Sequence, residues 1–176
     1  IIPSMFKKNR VFVYNFLDNN KLGKYWEDVG TIEAYYQANM DLIAIEPLFN
    51  LYDPDWPVNT YNIPCPPAKT IFDESEKSGM VLNSLISNGC ILNGSKVIHS
   101  VLSPNVRINN DTQVENSILM DNVNIGKNSI IKKAIIDKGV IIPPNTTIGI
   151  DYEKDRKMFT VTEGGIVVVP KGFKFE

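Results

Sequence analysis

The sequence is poor in the residues that build a metal centre or a cross-linked secreted fold. Among 176 residues there are two cysteines, Cys65 and Cys90, and a single histidine, His99. The cysteines have no metal-ligand spacing and make no disulfide framework, so reduced thiols are expected. The formal net charge is −2, and the basic residues form no stripe, which argues against a nucleic-acid partner. Charge is nevertheless uneven: residues 1–24 carry five basic groups against one acidic, and residues 25–83 ten acidic against two basic. No apolar run approaches the roughly 20 residues that span a bilayer, and no signal peptide is expected. A cytoplasmic protein without a membrane partner is therefore expected. An initiator methionine is also lacking. The opening "IIPSMF" reads as the start of a segment cut from a longer chain.

What the sequence does have is a repeat. Residues 84–151 fall into rows of seventeen: "SLISNGCILNGSKVIHS", "VLSPNVRINNDTQVENS", "ILMDNVNIGKNSIIKKA" and "IIDKGVIIPPNTTIGID". Three aliphatic columns recur, Leu85/Leu102/Leu119/Ile136, Ile91/Ile108/Ile125/Ile142 and Val97/Val114/Ile131/Ile148. Each row is read as one coil of three short strands, with one aliphatic per strand pointing inward and coils stacked about 4.8 Å apart. A corner column, Asn88/Asn105/Asn122/Gly139, holds residue types that tolerate the left-handed backbone of a sharp bend. β-Branched residues dominate and the apolar positions lack a 3.6-residue period, which rules out helices. The pattern leaves the hand open. The general crossover rule favours a right-handed coil, and the six-residue spacing is that of left-handed hexapeptide-repeat proteins.

Residues 1–24 read as a helix end, a strand over "RVFVYNFL" and a glycine-containing turn. "TIEAYYQANMDLIA" places Ile32, Tyr35, Tyr36, Met40 and Ile43 on one helical face, with Thr31 as N-cap and Pro47 as the stop. Six of the eleven prolines lie between Pro47 and Pro67, so that stretch is an extended linker. Its Leu48, Phe49, Leu51, Tyr52, Trp56 and Tyr61 call for burial against a neighbouring surface. At the end, "MFTVTEGGIVVV" reads as a hairpin turning at Glu163-Gly164-Gly165.

The stretches "YWEDVGTIEAYYQANMDL", "LYDPDWPVNTY", "PPAK", "GMVLNSLISNGCIL", "AIIDKGVIIPPNTTIG" and "GIVVV" together resemble bacterial glucose-1-phosphate adenylyltransferase (ADP-glucose pyrophosphorylase). The resemblance runs from Tyr25 to Val169 and covers nearly the whole chain. It implies a mainly β fold: a left-handed parallel β-helix of about four coils, preceded by the C-terminal remnant of an α/β nucleotidyltransferase domain. The expected boundaries are 1–46 for the remnant, 47–83 for the linker and 84–176 for a β-helix with a C-terminal hairpin. The family's nucleotide loop and sugar-phosphate lysine have no counterpart in this sequence.

The implied reaction joins ATP and glucose 1-phosphate into ADP-glucose and pyrophosphate for glycogen synthesis, with Mg²⁺ as cofactor. Asp28 matches the family's second metal-binding aspartate, a hard oxygen donor of the kind Mg²⁺ takes. Trp26 matches a residue lining the sugar-phosphate pocket. Read without the resemblance, Asp28 is a turn aspartate and Trp26 a core residue. Two cationic residues that help bind phosphorylated allosteric effectors fall on Lys138 and Lys171, with Arg156 and Lys157 ranked lower; the plain alternative is surface lysines. The resemblance also implies a homotetramer. Repeat acyltransferases use a coil histidine as base, but His99 is expected at a solvent-facing corner beside Asn116 and Lys133. The competing functional reading is a structural assembly domain, or a non-catalytic regulatory subunit, with no chemistry of its own.

Overall fold

A computed structural model describes residues 2–17, 23–59, 63–71 and 79–175. The chain begins with a single helical turn, α1 (Ile2–Met5), and later forms α2 (Ile32–Asp41). Among the described residues, all other regular structure up to Ile148 is β. β1 (Lys69–Ile71) and β2 (Met80–Leu82) open a stack of coils. The first full coil holds β3 (Leu85–Ile86), β4 (Ile91–Asn93) and β5 (Lys96–Ile98), and the second β6 (Val101–Leu102), β7 (Arg107–Ile108) and β8 (Gln113–Glu115). The third holds β9 (Ile118–Leu119), β10 (Asn124–Ile125) and β11 (Ile130–Lys132), and the fourth β12 (Ala134–Ile136), β13 (Ile141–Ile142) and β14 (Thr147–Ile148). A turn of helix, α3 (Tyr152–Asp155), leads to the antiparallel pair β15 (Thr160–Val161) and β16 (Val167–Val169).

Three sheets form a parallel β-solenoid of about four turns, ordered β1-β4-β7-β10-β13, β14-β11-β8-β5-β2 and β15-β16-β12-β9-β6-β3. The interior is built on the predicted columns, with Leu102, Leu119, Ile136, Ile108, Ile125, Val97, Val114, Ile131 and Ile148 fully buried, and a further column that the repeat reading did not single out, Cys90, Val106, Val123 and Val140, is buried with them. Hydroxyls line two of the corners and satisfy backbone groups there. Ser117 N–H donates to Ser100 Oγ and Ala134 N–H to Ser117 Oγ, at 3.1 and 3.2 Å.

The first coil departs from the seventeen-residue reading. Ile86 pairs with Leu102 and Leu92 with Ile108, a step of sixteen, while later rungs step seventeen. Ile86 and the buried Leu92, not Leu85 and Ile91, therefore continue the columns inward. The corner moves with them: Gly89, at φ 77°, takes the place expected of Asn88, ahead of Asn105, Asn122 and Gly139 at 61–68°. The stack also starts earlier than residue 84, since β1 and β2 lie within the stretch read as linker. His99 stands at another corner with Asn83, Asn116 and Lys133, all at φ 45–48°, its Nδ1 3.0 Å from Asn116 Oδ1. Cys65 and Cys90 are free thiols.

α2 lies across the outside of the third sheet. Its Met40 is buried with Ile118, Ile135 and Ile166, flanked by Ile32, Tyr35, Tyr36 and Ile43; Met40 and these four are the five positions expected on its apolar face. A ten-residue helix is about 15 Å long, close to three strand spacings of about 4.8 Å, so it bridges β6 to β16. Its first turn faces the β15–β16 turn, where Glu33 approaches Gly164; Leu42 and Ile43 face Ser84 and Leu85 of the first coil. Tyr36 Oη donates to the Asn116 carbonyl at 2.7 Å. The helix ends at Asp41, before Pro47, because Leu42–Ala44 tighten into a turn.

Two expectations fail. "RVFVYNFL" forms no strand beyond an isolated Leu17–Gly23 bridge; Phe12, Val13 and Tyr14 are 77%, 91% and 88% exposed, and a strand needs a neighbour to take its backbone groups. The apolar residues of the proline-rich stretch are also exposed, with Leu48 at 87%, Tyr52 at 78% and Trp56 at 63%. Tyr61 falls outside the described residues.

Candidate functional site

The "YWEDVGT" loop is fastened at both ends to α2. Thr31 caps the helix: its backbone is extended (φ −122°, ψ 161°) and its hydroxyl accepts from Ala34 N–H at 3.1 Å, satisfying one of the first-turn donors. At the other end, Tyr25 Oη donates to Asp41 Oδ2 at 3.1 Å, and Gln37 Nε2 holds Asp41 Oδ1 at 2.7 Å. Phe49 stacks on the Tyr25 ring, centroids 5.8 Å apart and planes 20° off parallel. Partial burial raises the Tyr25 phenol above its ordinary value, and its bond to Asp41 raises it further, so the hydroxyl keeps its proton and donates. Beside this anchor lies a cleft of about 310 Å³ lined by Phe16, Lys24, Phe49, Asp53 and Trp56; Lys24 Nζ sits 4.7 Å from the Trp56 ring, a cation–π contact.

Between the two anchors the loop turns outward. Trp26 is 73% exposed and so is not a core residue. Asp28 is exposed, and its Oδ1 lies 3.3 Å from where a β-carbon on Gly30 would stand. The carboxylate folds over Gly30, and a larger residue there would crowd it. Such a carboxylate fits one position around a hard cation. Among the described residues, no three acidic, histidine or cysteine side chains gather closely enough to make a complete metal site.

Lys138 and Lys171 meet at one corner of the solenoid. Register pairs Ile136 with Val169, placing the residues after β12 beside those after β16. The Asp137 carboxylate then accepts Lys138 N–H at 2.6 Å and Lys171 N–H at 3.1 Å. Lys138 Nζ lies 3.8 Å from Asp121 Oδ2, an exposed and therefore weak pairing. Arg156, ranked lower, is engaged with Glu153 at 2.7 Å. Sequence reasoning did not single out Asp137, although it stands in the quoted "IIDKG". The acidic residues of this corner are felt on α2: burial first, and then the negative charge of Asp137 and Asp121, raise the Tyr35 phenol, while Asn39 opposes them.

Residues 66–169 match the family described as "GlmU-like, C-terminal hexapeptide". Glucose-1-phosphate adenylyltransferase of Anaeromyxobacter dehalogenans is 54% identical over 184 residues, covering 100% of this chain and 45% of that protein. The chain belongs to the glucose-1-phosphate adenylyltransferase family. Members from Thermus thermophilus and Methylococcus capsulatus are 52% and 48% identical, covering 99% and 96% of the chain. The chain spans 40–45% of the length of these three family members, and what it matches is their C-terminal part. Among the described residues no helix is long and apolar enough to cross a membrane.

Proposed function

We propose that this chain is the C-terminal portion of a cytoplasmic enzyme that transfers AMP from ATP to glucose 1-phosphate, yielding ADP-glucose for glycogen synthesis and pyrophosphate. The observation that carries the reading is about 50% identity along the whole chain to proteins bearing that enzyme's name. Residues 1–46 complete a preceding nucleotidyltransferase domain. The exposed Phe12, Val13 and Tyr14 support this, because they form an apolar strip that the chain does not cover. Residues 47–83 connect that domain to the solenoid, with β1 and β2 already joined to the stack, and residues 84–176 form the regulatory and assembly domain of a homotetramer.

In this reading Asp28 contributes one oxygen ligand to Mg²⁺, which when bound neutralises charge on the reacting phosphates. Trp26 offers a flat, exposed wall beside it for glucose 1-phosphate. The attacking group is the sugar phosphate, so the chain's task is to place that anion and a carboxylate in register. Lys138 and Lys171, with their ammonium groups in solvent and their backbones tied through Asp137, suit a phosphorylated effector.

A second reading, an assembly or regulatory portion with no chemistry, is favoured by the solitary character of Asp28. Pyrophosphate release by the full-length protein separates the two. Asp28→Asn should lower turnover at least a hundredfold with its melting temperature unchanged, since the exposed carboxylate supports nothing internal. Wild-type turnover in that variant would leave only the assembly reading.

A further inference from the structure

Asp28 sits in the middle of a strap, and the strap's far end is held by a bond that no part of the reaction requires. Seven residues, Tyr25 to Thr31, run back along α2 and are tied to it at both ends, by the Tyr25–Asp41 hydrogen bond at the helix C-terminus and by the Thr31 cap at its N-terminus. Gln37 fixes the second oxygen of Asp41, and Phe49 covers the Tyr25 ring. Apart from these anchors the strap is exposed: Trp26 and Val29 are 73% and 52% accessible. Among the described residues nothing is packed over it, so within this chain the two ties set where Asp28 stands. α2 in turn is seated on β9, β12 and the residue ahead of β16 through Met40. We propose that Tyr25 and Asp41 form a positioning clasp that makes the strap and α2 one unit and holds the Asp28 carboxylate where the metal needs it.

The proposal rests on the reading of Asp28 as a metal ligand, and the test separates the two. Mn²⁺ serves as the probe, with free ion followed by electron paramagnetic resonance in the full-length protein bound to ADP-glucose. Tyr25→Phe keeps the ring stacked on Phe49 and removes only the hydroxyl. It should weaken Mn²⁺ binding about three- to tenfold, the scale of one lost hydrogen bond, without shifting the melting temperature by more than a degree or two. Amide exchange of residues 26–30 should speed up in the same variant. Asp41→Ala should give the same loss of Mn²⁺ affinity, and the double variant no more than either single change, as for two partners of one interaction. Unchanged Mn²⁺ affinity in Tyr25→Phe, in a protein where Asp28→Asn weakens it, overturns the clasp. Unchanged affinity in Asp28→Asn overturns the metal reading, and the clasp with it.

Discussion

Ile131→Ala should cost the chain about 4 kcal/mol, and Ile141→Ala, in the same stack, almost nothing. Ile131 is fully buried between Val114 and Ile148 of the neighbouring rungs. Removing three carbons forfeits roughly 2.4 kcal/mol of transfer energy at ~0.8 kcal/mol each. The backbone ladders on either side keep the rungs from collapsing, and a residual cavity of roughly 60–80 Å³ at ~24 cal/mol per Å³ adds about 1.5–2 kcal/mol. Ile141 points outward and is 67% exposed, so its truncation should stay within about 0.5 kcal/mol. In thermal unfolding of the 176-residue chain, at roughly 2–4 °C per kcal/mol for a protein of this size, Ile131→Ala should melt about 8–16 °C lower and Ile141→Ala about where the parent does. A loss under 1 kcal/mol at Ile131, or equal losses at the two sites, would refute a close-packed interior built from these columns.

Neutralising the corner with Lys138→Gln and Lys171→Gln together should raise the half-saturating concentration of a phosphorylated activator about tenfold, leaving basal turnover within twofold; an unchanged activation curve would refute the effector reading. Tyr36→Phe should lose about 1 kcal/mol by releasing α2 from the Asn116 carbonyl, seen as faster amide exchange along Ile32–Asp41 and not in β9. Burial holds the Asp155 carboxyl above its ordinary value, opposed by the Gly149 N–H that donates to it at 2.8 Å. Between the unfolded and folded titration points the folded chain therefore holds more protons, so stability is full below the unfolded value and falls as pH rises through the folded one. Asp155→Asn keeps an acceptor for Gly149 and should flatten that slope in denaturation curves taken across acidic pH; an unaltered slope would count against Asp155 as its source.

The solenoid was legible because its signal is redundant: each inward position repeats every rung with the same residue class. The slip in the first coil was not, because Leu85–Ile86 and Ile91–Leu92 are adjacent aliphatic pairs, and either member satisfies a column. Asn88–Gly89 offers two residues fit for one corner. "RVFVYNFL" has the composition of a strand, but composition cannot supply the neighbour that would pair with it. The helix face was readable from its period, and its end was not, since Leu42 and Ile43 continue the apolar pattern past the last helical bond. At the site, Asp28 and Trp26 stood out through their motif. The tie between Tyr25 and Asp41 has no periodic signature. The meeting of Lys138 and Lys171 depends on α3 and the β15–β16 turn intervening before β16 returns to the stack.

The solenoid's end closes with three rings. Phe159, Phe173 and Phe175 stand 4.9–6.0 Å apart, against the last inward residues, over a stack whose other two sheets stop at β13 and β14. Every coil is a template for the next, so without a stopper the open rung would invite a neighbouring molecule to add on, one after another, into a rod. The aromatic lid covers that open rung, and trimming it should convert a clear solution into one that scatters light.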